Sequence, residues 1–269
     1  MRSARRSICL TYHDIYDGEP QTGVPRTATS YHVSLEDFNR HLGIVRDSGL
    51  EVTTVSDWLS APPGDTSQTI AFTFDDGWSG AFRHAVPLLK KMGWKGTFFI
   101  TGDFVGKQFF CDSDMILEAF KSGMEVGIHG MTHCMLSSCS SREIEWEFRA
   151  CKDLLESLVN SPVQLASLPG GASNGKLLLC AKGLGIQSIC TGRPGVNYPS
   201  TSPFHLRRTA ILRTTSAADI ERYCRYNTHP EVLRWMALEI PRKLLGMKRY
   251  SLARRRLLRS KGDHQFFTP

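Results

Sequence analysis

Two adjacent carboxylates, Asp75 and Asp76, follow the apolar run Ile70-Ala71-Phe72-Thr73-Phe74 and precede Gly77. Neighbouring acids repel each other unless a cation or a proton sits between them. At the carboxyl end of a strand, where α/β folds build their sites, such a pair suits metal and base chemistry. In a plain Asp-Gly turn the same pair would be two solvated acids. A second group, His129 and His133, also comes straight after an apolar run. Residues four apart share one face of a helical turn, so both imidazoles can reach one metal. Two unrelated histidines are the plainer alternative, weakened because both groups stand at strand ends. One carboxylate and two imidazoles leave coordination positions open, as catalytic rather than structural sites do. A third feature is Leu168-Pro169-Gly170-Gly171, where a tight backbone can aim an amide N–H at an oxyanion. Standing alone, it would be read as an ordinary loop.

The elements that must carry these groups are short. Apolar runs predict strands at 8–12, 70–74, 96–100, 125–128, 164–168, 186–190 and 205–211. Amphipathic stretches predict helices near 34–48, 80–92, 113–122, 141–159, 174–183 and 216–226. Ser34 with Asp37 and Ser140 with Glu143 resemble capping boxes at two helix starts. Gly49, Gly93, Gly123 and Gly183 fall where helices should stop. Alternation at this spacing implies parallel strands joined by helical crossovers, in a barrel or an open doubly wound sheet.

A length of 269 residues suits one large domain, or a domain with an appendage. The basic start Met1-Arg2-Ser3-Ala4-Arg5-Arg6 is followed by too short an apolar run for a signal peptide, and no run is long enough to span a membrane. A cytoplasmic protein is the expectation. The eight cysteines are scattered without a CxxC pair, which fits reduced thiols better than a disulfide framework. The net charge of +7 is uneven: residues 234–261 hold ten Lys or Arg against one acid, Glu239, so the rest of the chain is slightly acidic. From Trp235 to Arg259 basic residues alternate with apolar ones. That pattern is a solvated basic surface, or a peripheral contact with the anionic inner face of a membrane. Nucleic acid is not expected, since no nucleic-acid-binding fold or aromatic platform is visible.

Thr73-Phe74-Asp75-Asp76-Gly77, His129 to His133, and Gly96-Thr97-Phe98-Phe99-Ile100 between them together resemble the polysaccharide deacetylases with a NodB-homology domain, carbohydrate esterase family 4. The resemblance is specific from 70 to 136 and looser from 160 to 211. It implies an α/β fold, a distorted (β/α) barrel of NodB-homology type, over residues 1–230; the resemblance ends there, and the pattern of 231–269 itself predicts a basic helical C-terminal tail. It implies Asp75 as general base, Asp76, His129 and His133 as ligands of one divalent metal, with zinc the default, and Gly170 as the oxyanion donor. Two departures stand out. The family's base-orienting Arg is replaced by Ser167, and Arg208 is the candidate substitute. The family's late Leu-His-Asp motif is absent downstream, whereas Leu10-Thr11-Tyr12-His13-Asp14 stands at the front, as in some permuted members. His13 then becomes the general acid, oriented by Asp14 or another carboxylate, with His205 and His229 next in line. The implied reaction removes N-acetyl groups from an acetylated carbohydrate, a surface or exopolysaccharide glycan or its precursor. An O-acetyl esterase would use the same residues, and a sugar-binding pseudoenzyme would keep the fold without the chemistry.

Overall fold

The computed structural model of the chain describes residues 5–19, 23, 24, 26–62 and 64–239. Most of the basic tail, 240–269, and with it the expected helices and membrane contact there, lies outside the described residues. Among the described residues the strands are β1 (Arg6–Tyr12), β2 (Ile15–Tyr16), β3 (Val33–Ser34), β4 (Glu51–Thr53), β5 (Gln68–Phe74), β6 (Thr97–Ile100), β7 (Glu125–Ile128), β8 (Leu165–Ser167), β9 (Ser188–Cys190), β10 (Val196–Asn197) and β11 (Thr209–Ala210).

β1, β5, β6, β7, β8 and β9 lie side by side and parallel, in that order. The sheet curls until its two edges share one segment. Leu206 bridges to Cys190, and β11 just after it pairs in parallel with Leu10 and Thr11 of β1. That shared segment makes the architecture a distorted barrel and removes the open doubly wound sheet from consideration. β4 pairs with the first half of β5 and β10 runs antiparallel to the start of β1.

Strand alternation sorts the side chains into two layers. Ile8, Leu10, Tyr12, Ile70, Phe72, Phe74, Phe98, Ile100 and Ile128 join the main core with the surrounding helices. Each such Phe or Ile, fully buried, contributes roughly 1.5–3 kcal/mol. Cys9, Ala71, Phe99, Leu165, Cys190 and Leu206 form a smaller cluster on the other face, the inside of the curl. Burial on both faces explains why the strands read as unbroken apolar runs.

The helices begin much as their caps predict. Ser34 Oγ accepts from the Asp37 amide ahead of Leu35–Asp47, and Ser140 with Glu143 forms a full capping box ahead of Ser141–Val159. Two expectations need correction. The stretch 205–211 is not one strand: Pro203–His205 forms a 3-10 turn and only Thr209–Ala210 is β. The helix near 80–92 is interrupted, a π turn over Ala81–Ala85 leading into Val86–Lys91, where Pro87 has no amide to donate. Gly183 closes its helix as expected, and the left-handed residue follows two positions later at Gly185. β4 and the helix Val55–Ser60 after it were too short to register as a periodic pattern. No helix among the described residues is long and apolar enough to cross a membrane. A last helix, 229–239, is tied to Ala217–Cys224 by Glu231, which accepts from Arg222 Nη2 at 2.7 Å and from the Tyr223 hydroxyl at 2.9 Å.

Candidate active site

The site forms where β1 and β5 end together. Tyr12 pairs with Phe74, and the Asp75 amide donates to the Tyr12 carbonyl at 3.0 Å, so His13 and Asp75 leave the sheet side by side. Asp75 is buried and gripped from inside the curl. Arg208 Nη1 donates to its Oδ1 at 2.7 Å and Nη2 to its Oδ2 at 2.8 Å, a two-pronged ion pair. Ser167 at the end of β8 donates its hydroxyl to Asp75 Oδ2 at 3.1 Å and accepts from Arg208 Nη2 at 2.6 Å. Arg208 also donates to the Thr191 carbonyl and lies over the Phe99 ring. Burial pushes the Asp75 carboxyl upward, but the Arg208 guanidinium and then His129 outweigh it and hold the group below the usual carboxylate range.

Asp76 turns the other way. It adopts a φ of 72°, a left-handed backbone that costs a non-glycine residue on the order of 1–2 kcal/mol. The turn sends its carboxylate away from Asp75 and toward the histidines. Asp76 Oδ1 lies 3.1 Å from Nε2 of His129 and 3.1 Å from Nε2 of His133. Its other oxygen accepts from Trp78 Nε1 at 3.0 Å, which fixes the rotamer and reserves Oδ1 for the imidazoles. Burial raises the Asp76 carboxyl; His133 and His129 more than offset this and keep it well below the usual range. The three ligand atoms lie within 4.8 Å of one another, making this a possible Asp/His/His metal-binding site. One ionised carboxylate and two imidazole nitrogens converging on a point are a donor set that fits a divalent cation.

The route by which the histidines converge differs from the expected helical turn. Residues 129–133 form no helix: Gly130 and His133 both take left-handed φ values, 79° and 63°. The backbone of this loop is held instead by Glu147, a buried acid on Ser141–Val159. Its carboxylate accepts from the Met131 amide at 2.6 Å, the Thr132 amide at 2.9 Å and the Thr132 hydroxyl. Sequence reasoning missed Glu147, yet a signal was present: it falls on the apolar stripe with Ile144, Phe148, Cys151 and Leu155. An acid in that stripe needs an internal partner. If Asp76, His129 and His133 hold a divalent cation, Glu147→Ala is expected to weaken its binding by about 10–100-fold, as loss of a ligand's supporting partner does, with Glu147→Gln in between. Competition with a chromophoric chelator measures both.

His13 lines the same cavity as Asp75, Asp76, His129 and His133, and its ring packs on Tyr31 with centroids 4.6 Å apart. Burial is the main reason its pKa falls below the ordinary imidazole value, against the pull of Asp76 and Asp75. The expected orientation by Asp14 is not found. Among the described residues His13 Nδ1 has no hydrogen-bond partner. The Asp14 carboxylate faces His32 Nδ1 at 3.7 Å and the amides of Gly80 and Ala81, because the chain reverses face between adjacent residues. The tilted Tyr31 ring packed against it supports the imidazole in its place.

After β8, Gly170 and Gly171 take φ values of 67° and 72°, which bends the backbone into the cavity wall. A Cβ on Gly171 would sit 2.4 Å from the Gly192 backbone, so this turn requires glycine there. His205 also lines the cavity, whereas His229 is exposed. The cavity measures about 610 Å³. Tyr31, Trp78, Arg193 and Trp235, none of them foreseen, complete its walls.

Comparison with known proteins adds a relationship. Residues 63–189 match the family described as polysaccharide deacetylase. The chain is 24% identical over 205 residues to YxkH of Bacillus subtilis, covering 75% of this chain and 70% of that protein. It is 30% identical over 126 residues to a peptidoglycan-N-acetylglucosamine deacetylase of Bacillus cereus, covering 46% of this chain and 57% of that one. Among solved structures, the Streptococcus pyogenes deacetylase PplD in complex with acetate superposes with a TM-score of 0.70 at 22% identity, over 81% of this chain and 97% of its own. At that identity the likeness concerns the fold.

Proposed function

The chain belongs to the polysaccharide deacetylase family, and from that premise we propose that it is a metal-dependent hydrolase removing N-acetyl groups from a carbohydrate, a surface glycan or its precursor, and releasing acetate. The observation that carries the reading is the division of labour between two adjacent carboxylates. Asp75 is clamped by Arg208, Asp76 turns to His129 and His133, and both open into one cavity.

Asp76, His129 and His133 would hold one divalent ion, zinc by preference, which supplies Lewis acidity toward the acetyl carbonyl and a water. Asp75, ionised and fixed by Arg208 and Ser167, accepts a proton from the water as it attacks. The Gly170 amide, in the bent wall, is the proposed donor to the tetrahedral oxyanion. His13 protonates the departing amine nitrogen, since an amide anion is a very poor leaving group. Its pKa, lowered chiefly by burial, makes the imidazolium a stronger acid while reducing the protonated fraction at neutral pH.

The test is acetate release from N-acetylated and O-acetylated oligosaccharides, before and after chelation and with zinc restored. Zinc-dependent release from the N-acetylated set is the expected result. Release from the O-acetylated set alone would replace the reading with an esterase, and release from neither would favour a binding protein. In the same assay His13→Ala is expected to slow amide hydrolysis by about 10²–10⁴-fold. Hydrolysis of an activated acetyl ester, whose leaving group needs no proton, should fall far less. Equal slowing of both would assign the acid to another residue, with His205 next.

A further inference from the structure

The loop that carries His133 runs straight into a pair of thiols. Cys134 Sγ and Cys139 Sγ lie 3.4 Å apart, and both residues are half-buried. Five of the other six cysteines, Cys9, Cys111, Cys151, Cys190 and Cys224, are buried. A disulfide holds its sulfurs at about 2.0 Å, so a closing movement of about 1.4 Å would join this pair. Reversible oxidation selects thiols that are accessible and stand beside a second thiol.

The two ends of the pair are held unequally. Cys139 stands just before Ser140, whose capping box with Glu143 opens the helix Ser141–Val159. Lys176 Nζ donates to the Cys139 carbonyl at 3.0 Å and Cys180 Sγ to the Ser141 carbonyl at 3.5 Å, which ties this end to the helix Gly175–Gly183. Cys134 follows His133 directly and belongs to the loop with left-handed backbone. Its thiol is in hydrogen-bond contact with Glu147, the same carboxylate that accepts from the Met131 and Thr132 amides. Closure must therefore move the Cys134 end more than the Cys139 end, and it removes the thiol hydrogen that faces Glu147. Between the two cysteines, Met135 reaches another part of the site: a Cβ on Gly170 would run into its Sδ. The segment 134–139 thus adjoins His133 at one end and touches the Gly170 turn along its length.

We propose that Cys134 and Cys139 form a reversible disulfide, a redox modification site that draws His133 off the metal position and lowers the metal affinity of the centre. This rests on the reading of Asp76, His129 and His133 as metal ligands. The oxidant is a peroxide. Cys134, shielded from water and beside the Glu147 carboxylate, is held in its thiol form, so Cys139 meets the oxidant first. Peroxide converts the Cys139 thiol to a sulfenic acid and leaves as water. The Cys134 sulfur then attacks the Cys139 sulfur; the S–S bond forms, the S–O bond breaks, and the departing hydroxide takes the Cys134 proton as a second water. The two thiols lose two electrons and the peroxide gains them.

The experiment uses the full chain, stripped of metal by a chelator and treated with hydrogen peroxide. Peptide mapping by mass spectrometry should show Cys134 linked to Cys139 with the loss of two hydrogens, and a thiol reductant should restore both. Zinc affinity, read by competition with a chromophoric chelator, should fall by about 10–100-fold on oxidation, the scale of a lost supporting contact, and recover on reduction. Sulfoxide formed at Met135 needs dedicated reductases, so a loss from that source would not recover with a simple thiol. Cys139→Ser should bind zinc as the reduced wild-type chain does and keep that affinity through peroxide. Thermal unfolding checks that it is folded, and Cys139→Ala replaces it if it is not. No linkage between 134 and 139, a linkage to Cys180 instead, a linkage that leaves zinc affinity unchanged, or an equal reversible loss in the Cys139 variant overturns the switch. A linkage in a chain that binds no zinc when reduced sinks the metal reading and the switch with it. No linkage in a chain that binds zinc and releases acetate sinks the switch alone.

Discussion

Asp75→Asn is expected to retain the metal and lose about 10²–10⁴-fold in turnover, the usual cost of removing a general base. The substitution keeps the shape of the side chain, and the Asp76–His129–His133 group does not pass through it. Its side effect comes from Arg208, buried and paired to Asp75 through both Nη atoms. Removing the charge of one partner of a buried pair costs about 3–5 kcal/mol when the other is left uncompensated. Asparagine softens this, since its carbonyl still accepts one guanidinium hydrogen bond while its amide opposes the other. A modest fall in thermal stability should therefore accompany the loss of activity. Elemental analysis, a melting curve and acetate release on the same preparation separate the effects. If Asp75→Asn loses the metal instead, the roles of the two aspartates are the reverse of those proposed.

His129→Ala and His133→Ala are each expected to remove a direct ligand, and so to weaken zinc binding by more than the roughly 10–100-fold that follows loss of a supporting partner. Activity should fall with metal content. Both residues lie in a loop that Glu147 holds through the Met131 and Thr132 amides, so the backbone has support that does not depend on the imidazoles. The readout needs no substrate. A ligand that binds only the folded state raises its stability by RT ln(1 + [L]/Kd), so zinc should raise the melting temperature of the wild-type chain and not that of either variant. Wild-type metal content in both variants would remove the assignment. His133 is the more exposed of the pair, with an 18% exposed side chain against 3% for His129. His129→Ala should therefore carry the larger direct stability loss.

What the sequence determined by itself is what is local. The apolar runs of β1, β5, β6 and β7, the acids at the end of β5, and the serine caps at 34 and 140 arise between residues a few positions apart. Covalent neighbours cannot separate, so Asp75 and Asp76 were certain to share a strand end, and residues 70–136 carried the family's motifs unaided. The partners of those residues could not be read this way. Arg207 and Arg208 are the same letter twice, and only closure of the sheet through 206–210 decides between them. The alternation of side chains there sends Arg208 inward to Asp75, 133 residues away, while Arg207 turns to the Val196 carbonyl. The histidine pair was legible as a pair. Its geometry was not, because two left-handed residues and a distant Glu147 replace the helical turn that spacing alone suggests. Trp235 is the plainest case. In a basic, amphipathic tail it reads as surface, and it becomes cavity wall because Glu231, one turn earlier, docks on Arg222 and Tyr223. Spacing sets which residues share a face. Which way that face turns depends on contacts between packed elements, and those exist only in the folded chain.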